Sequence, residues 1–177
     1  MSCKIYIATS LDGYIADENN SIEWLNIIPF TQEIQNEFVS FIENIDCIIM
    51  GKNTFETVIS FDEWPYKKEV FVLSNSMKNI PNKYENKAKL VNEKNMFNLI
   101  NLLKDKGYKN FYIDGGTTIQ NFLKENLVDE MIITTIPIIL GSGKSLFCQL
   151  SNSIEFRLIK SKILSNCCVQ STYGIKE

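Results

Sequence analysis

The sequence predicts an α/β fold in three layers. A mostly parallel, mixed sheet is flanked by helices and carries an antiparallel C-terminal edge. Three observations predict it. Short β-rich runs alternate with amphipathic helical runs along most of the chain, as in a parallel sheet covered on both faces. Two strand-to-helix junctions carry glycine, at Gly51 and at Gly115-Gly116. Two strand runs follow one another directly at the end of the chain, which places an antiparallel pair on one edge. With 177 residues, 45% of them hydrophobic and 22% charged, residues 1–177 read as a single domain with room for a core.

Each element has a local reason. Cys3 to Thr9 is rich in β-formers and predicts a strand. Asp12-Gly13 is a turn signal, and Tyr14-Ile15-Ala16 resumes an extended segment. Thr31 can cap a helix running to Glu43, with Ile34, Phe38, Phe41, Ile42 and Ile45 as its core stripe. Asp46 to Met50 is a buried strand ending at Gly51; Asn53 and Glu56 then form a capping-box-like pair for a second helix. Glu69 to Ser74 and Lys87 to Val91 predict strands. Met96 to Lys106 predicts a helix closed by Gly107. Lys109 to Ile113 is a strand, Thr117 to Glu125 a helix with a Thr117–Gln120 capping box, and Asp129 to Ile139 a long strand. Ile154 to Lys162 and Ile163 to Tyr173 complete the sheet around Leu164-Ser165-Asn166.

Composition excludes several classes of function. A net charge of -3 argues against a general nucleic-acid or anionic-membrane binder. The N-terminus reads straight into a strand, with no leader pattern, and the longest apolar run, Met131 to Leu140, is broken by Thr134, Thr135 and Pro137. A cytoplasmic protein is expected. The five cysteines include no C-x-x-C and read as reduced, small hydrophobes. The chain has no histidine, which removes histidine-based nucleophile systems and most zinc sites; no metal site is predicted. Gly141-Ser142-Gly143-Lys144-Ser145 is no P-loop. The glycine required five places before Gly143 is Ile138, and the residues after Lys144 read as extended.

The stretch Phe111-Tyr112-Ile113-Asp114-Gly115-Gly116-Thr117-Thr118 is the chemical centre of the sequence. A strand meets two glycines and then a helix N-terminus. That is either a tight turn or a cradle for an anion such as a phosphate. The junction at Gly51 repeats it with Lys52 at its mouth, which reads either as a solvated lysine or as a cation for the same ligand.

Four pieces in fixed order carry a resemblance: Ala8-Thr9-Ser10-Leu11-Asp12-Gly13-Tyr14-Ile15-Ala16, Ile49-Met50-Gly51-Lys52-Asn53-Thr54-Phe55-Glu56, Val72-Leu73-Ser74-Asn75 and Tyr112-Ile113-Asp114-Gly115-Gly116. This order resembles the dihydrofolate reductase-like superfamily over nearly the whole chain, and the first piece, together with Val128-Asp129-Glu130 and Pro137 to Phe147, resembles the branch of the riboflavin-biosynthesis reductase C-terminal domain. The resemblance implies NADPH binding and hydride transfer to a C=N or C=O of a small heterocyclic substrate. Gly115, Gly116, Thr117 and Thr118 would meet the pyrophosphate, with Gly51, Asn53 and Thr54 opening the second phosphate-contacting helix. Lys52 would meet the adenosine 2′-phosphate, together with Ser74 and Asn75. Ala8 and Ile15 would border the nicotinamide. Asp12 would be the catalytic, substrate-binding carboxylate, or else a turn former. Trp24 would wall the substrate, or else fill the core, and Glu37 lies near the position where dihydrofolate reductases bind the pterin. A homodimer is implied, with Ile132 to Leu140 either at its interface or in a central strand. The alternatives are a true dihydrofolate reductase and a non-catalytic nucleotide-binding module of the same fold.

Overall fold

The computed structural model describes residues 2–176. Ten strands are present: β1 (Ser2–Thr9), β2 (Tyr14–Ala16), β3 (Cys47–Gly51), β4 (Glu69–Leu73), β5 (Ala88–Val91), β6 (Asn110–Asp114), β7 (Glu130–Thr135), β8 (Lys144–Ser145), β9 (Phe156–Leu164) and β10 (Cys168–Ile175). The helices are α1 (Gln32–Glu43), α2 (Lys52–Ile59), α3 (Met96–Asp105) and α4 (Gly116–Lys124). Eight strands form one sheet in the order β5-β4-β3-β6-β1-β7-β10-β9, and β2 pairs with β8. From β5 to β7 all pairings are parallel, while β10 runs antiparallel to both β7 and β9. This is the three-layer, mostly parallel fold with an antiparallel edge that the alternation of elements predicts.

Period-two alternation sorts the strand residues between two cores. Cys3, Ile5, Cys47, Ile49, Phe111 and Ile113 face the layer of α3 and α4. Tyr6, Ile48, Met50, Val70 and Tyr112 face the layer of α1 and α2, among Phe41, Phe55 and Val58. Asp114, two residues beyond Tyr112 on β6, belongs to that second face.

Several predicted boundaries shift for physical reasons. The long strand expected to Ile139 ends at Thr135, because Pro137 lacks the N–H that a ladder needs. Glu130–Thr135 is an interior strand between β1 and β10, which settles the central-strand reading for that part of Ile132 to Leu140. Thr31 caps α1 as expected, accepting from the Ile34 amide. Both expected capping boxes fail. α2 starts after Gly51 and α4 after Gly115, neither with a side-chain cap, so Asn53 and Thr117 lie inside their helices. Glu56 pairs instead with Lys52 at 3.5 Å, and Gln120 donates to the Ser145 carbonyl at 2.9 Å. Gly107 follows α3 at φ 95° as a C-terminal stop. Among the described residues no helix is long and apolar enough to cross a membrane, and all five cysteines are free.

Candidate active site

The sheet order places β1 beside β6, with chain connections leaving to opposite sides. Ligands in open α/β sheets bind in the crevice beyond the strand C-termini at such a switch point. A cleft of about 1140 Å³ opens there, at the ends of β1, β3, β4 and β6. That volume exceeds what a drug-sized ligand needs, so it has room for two molecules side by side.

The glycine junctions form one wall. Gly115 has φ 85°, a left-handed conformation that favours glycine, and a Cβ there would stand 2.0 Å from Thr54 Oγ1. The N-termini of α2 and α4 therefore meet across this glycine. Neither helix is capped by a side chain, so their leading amides remain free to donate. A Cβ on Gly116 would lie 2.8 Å from Ile15 Cδ1, and one on Gly51 would lie 3.2 Å from Thr118 Oγ1. Two convergent, uncapped N-termini behind close-packed glycines are suited to hold an anion.

The twelve residues expected at a cofactor come together on this cleft: Ala8, Ile15, Gly51, Lys52, Asn53, Thr54, Ser74, Asn75, Gly115, Gly116, Thr117 and Thr118 all line it. Ser74 Oγ accepts from the amides of Ser76 (3.1 Å) and Met77 (2.9 Å), which fixes the turn at the end of β4.

Asp12, Trp24 and Glu37 are not brought to the cleft wall. The Asp12 carboxylate ties two loops together. It accepts from the Ser10 hydroxyl at 2.6 Å and from the Leu140 and Gly141 amides at 3.1 and 2.7 Å. The Ser10 hydroxyl and then these amides hold its pKa below the ordinary value. Trp24 packs with Ala8, Leu25, Ile136 and Leu164, and its indole N–H is buried without a partner. Glu37 pairs with Lys162. The resemblance points to Asp12 because its Ser10-Leu11-Asp12-Gly13 motif matches the one in which the riboflavin-type reductases set an aspartate beside the substrate. Here the turn amides of a distant loop occupy it.

The carboxylate that does line the cleft is Asp114, at the end of β6 directly before the glycine pair. The Tyr66 hydroxyl donates to its Oδ2 at 3.3 Å, and the neighbouring Tyr112 hydroxyl donates to the Tyr6 carbonyl at 3.0 Å. Burial raises the Asp114 pKa to about 6, against the pull of the nearby Tyr112 and Tyr66 hydroxyls and the Gly115 amide. Burial also pushes the Tyr66 and Tyr112 phenols well above their ordinary range, so both stay protonated donors. A signal for Asp114 was available: alternation along Asn110–Asp114 places it on the face of Tyr112. Tyr66 comes from the irregular segment after α2 and carries no local signal.

The family model described as the RibD C-terminal domain matches residues 4–169. The uncharacterized protein YwjB of Bacillus subtilis strain 168 is 38% identical over 162 residues, which cover 89% of each chain. A candidate riboflavin biosynthesis protein of Shewanella sp. PV-4 is 48% identical, with a TM-score of 0.95 over 100% of both chains. The fold also matches the diaminohydroxyphosphoribosylaminopyrimidine deaminase/5-amino-6-(5-phosphoribosylamino)uracil reductase of Thermotoga maritima. There the TM-score is 0.78 at 13% identity, over 99% of this chain and 56% of that one. Matched over residues 4–169 by the family model, and built on the dihydrofolate reductase-like sheet, the chain belongs to the RibD C-terminal domain family.

Proposed function

We propose that the protein is an NADPH-dependent reductase of a small heterocyclic substrate. The observation that carries this reading is the pairing, in one cleft, of two uncapped helix N-termini with a half-buried carboxylate, Asp114, whose pKa is raised to about 6. Homology to a reductase family makes oxidoreductase chemistry the natural use of such a cleft. When bound, the nicotinamide would supply a hydride to a C=N or C=O carbon and leave as the oxidised pyridinium.

The chain's own residues would do the rest. Amides at Gly116–Thr118 and Lys52–Thr54 would hold the pyrophosphate. Lys52, Ser74 and Asn75 would meet the 2′-phosphate; Lys52 keeps the charge an arginine would bring but not its fork. Ala8 and Ile15 would flank the nicotinamide and exclude water. Asp114, protonated below about pH 6 and backed by Tyr66, would deliver the proton that the substrate nitrogen or oxygen takes up as its carbon gains the hydride. Asp12 would act at one remove, holding the Ser10–Tyr14 turn that carries Ile15 to the cleft.

Stopped-flow absorbance at 340 nm with NADPH and a panel of pyrimidine and pterin substrates tests the reading. Oxidation that slows at least tenfold in Asp114→Asn with unchanged NADPH affinity supports it. NADPH binding without oxidation of any panel member would favour a binding module.

A further inference from the structure

We propose that Tyr6 is a specificity-determining residue of this cleft. Its hydroxyl donates a hydrogen bond to a carbonyl oxygen or ring nitrogen of the acceptor, and Gln170 positions it. The inference deepens the reductase reading above and rests on it.

The place of Tyr6 follows from the sheet. The β1–β6 ladder ends at Ile5 opposite Ile113. Tyr6 and Asp114 are the next residues on the two strands, so they flank the crevice where the ladder opens. Both line the cleft, and alternation puts both on the face that Tyr112 shares. A ring that meets Asp114 has Tyr6 as its neighbour across the crevice.

Several elements fix this phenol. Gln170 on β10 and Thr134 on β7 are both buried. Gln170 Nε2 donates to the Tyr6 hydroxyl and to Thr134 Oγ1, each at 3.1 Å. The Phe38 and Phe41 rings of α1 pack the Tyr6 ring at centroid distances of 5.5 and 4.9 Å. The Tyr112 hydroxyl donates to the Tyr6 carbonyl at 3.0 Å and holds the backbone beneath.

Burying an amide and a hydroxyl costs free energy that apolar side chains of the same shape would avoid. Here the buried polar cluster ends on one phenol that lines the cleft. Gln170 occupies a lone pair of the Tyr6 oxygen, so the hydroxyl proton points elsewhere. Among the described residues no group accepts that proton, and the Glu37 carboxylate, whose charge bears on Tyr6, is engaged by Lys162. Burial above all raises the Tyr6 pKa above its ordinary value of 10.0, which keeps the phenol a donor at neutral pH. The partner this donor lacks is an acceptor atom on the ligand.

The test measures NADPH oxidation with 5-amino-6-(5-phosphoribosylamino)uracil and with dihydrofolate, whose rings both carry such acceptors. Wild type, Tyr6→Phe, Gln170→Met and the double variant are compared, each with an NADPH titration and a thermal melt. Tyr6→Phe keeps the ring. It should raise KM for the compound that is reduced by about fivefold or more, with kcat and NADPH affinity within about twofold of wild type. Gln170→Met should raise KM by less. The double variant should be no worse than Tyr6→Phe alone, because Gln170 acts through Tyr6, whereas a merely structural loss would add. An unchanged KM in folded Tyr6→Phe overturns the inference and leaves the reductase reading intact. An additive double variant overturns the role given to Gln170. Should Tyr6→Phe melt too low to assay, Gln170→Met reads the same contact, and an unchanged KM there overturns the inference. Wild type that oxidises NADPH with neither compound overturns the reductase reading and this inference with it.

Discussion

Asp114 is the proton donor of the proposed reaction, and its environment gives a signed pH prediction. Its folded pKa is raised from 3.8 to about 6 by burial. The folded state therefore retains a proton that the unfolded chain has already released between those values. The stability it contributes is fully present below pH 3.8 and is lost as pH rises through about 6. That difference corresponds to about 3 kcal/mol, less where the open side of the cleft admits solvent. Asp114→Asn should thus melt higher than wild type at pH 8, and the difference should shrink toward pH 4; a pH series of thermal melts checks it. Asp12 has the opposite sign. Its lowered pKa favours the folded state above the ordinary value of 3.8, and that support is lost on acidification. Asp12→Ala should lower the melting temperature at pH 7 and converge with wild type in acid. Residue identity alone did not separate these two aspartates. Both precede glycine, and only the fold decides that one meets loop amides while the other meets the Tyr66 phenol.

At the scale of elements, the glycine junction joins α2 to α4. Alanine at 115 would force a side chain into the left-handed region and a Cβ to within 2.0 Å of Thr54 Oγ1. Strain and overpacking together should cost about 3 kcal/mol. Thr54→Ala in the same chain should return roughly half of that, since the two sites share one contact. Chemical denaturation of the single and double variants measures both effects. The positions of these helices were legible in the sequence, because strand, glycine and apolar stripe recur in order. Their caps were not. A Thr117–Gln120 spacing fits a capping box, but α4 begins at Gly116, so Gln120 faces β8 and bonds the Ser145 carbonyl. The β2–β8 pair was equally hidden, since three residues and two residues give no periodicity. It forms because Leu11 and Leu146 amides bond the Ile138 and Gly13 carbonyls at 2.8 and 3.0 Å, drawing the two loops together.

At the scale of the molecule, the sheet gathers the uncapped helix N-termini and Asp114 at one set of strand ends. Strand order brings four C-terminal ends to one cleft, and alternation along β1 and β6 directs Tyr6, Tyr112 and Asp114 to one face only. Alternating strands and helices made that architecture readable from the sequence, and the twelve expected cofactor-facing residues all reach the cleft. The rest of the lining was poorly read, because Phe61 and Tyr66 come from loop and helix end. The central claim is that the convergent helix N-termini hold the pyrophosphate of a dinucleotide. A fluorescence titration with NADPH tests it most directly, comparing wild type with Gly116→Ala. A Cβ on Gly116 would meet only the flexible tip of Ile15 and the Ser145 carbonyl at 3.7 Å. The variant should therefore fold and melt like wild type, yet bind NADPH at least tenfold more weakly. Wild type that does not bind NADPH, or a folded variant that binds it equally well, would contradict the claim.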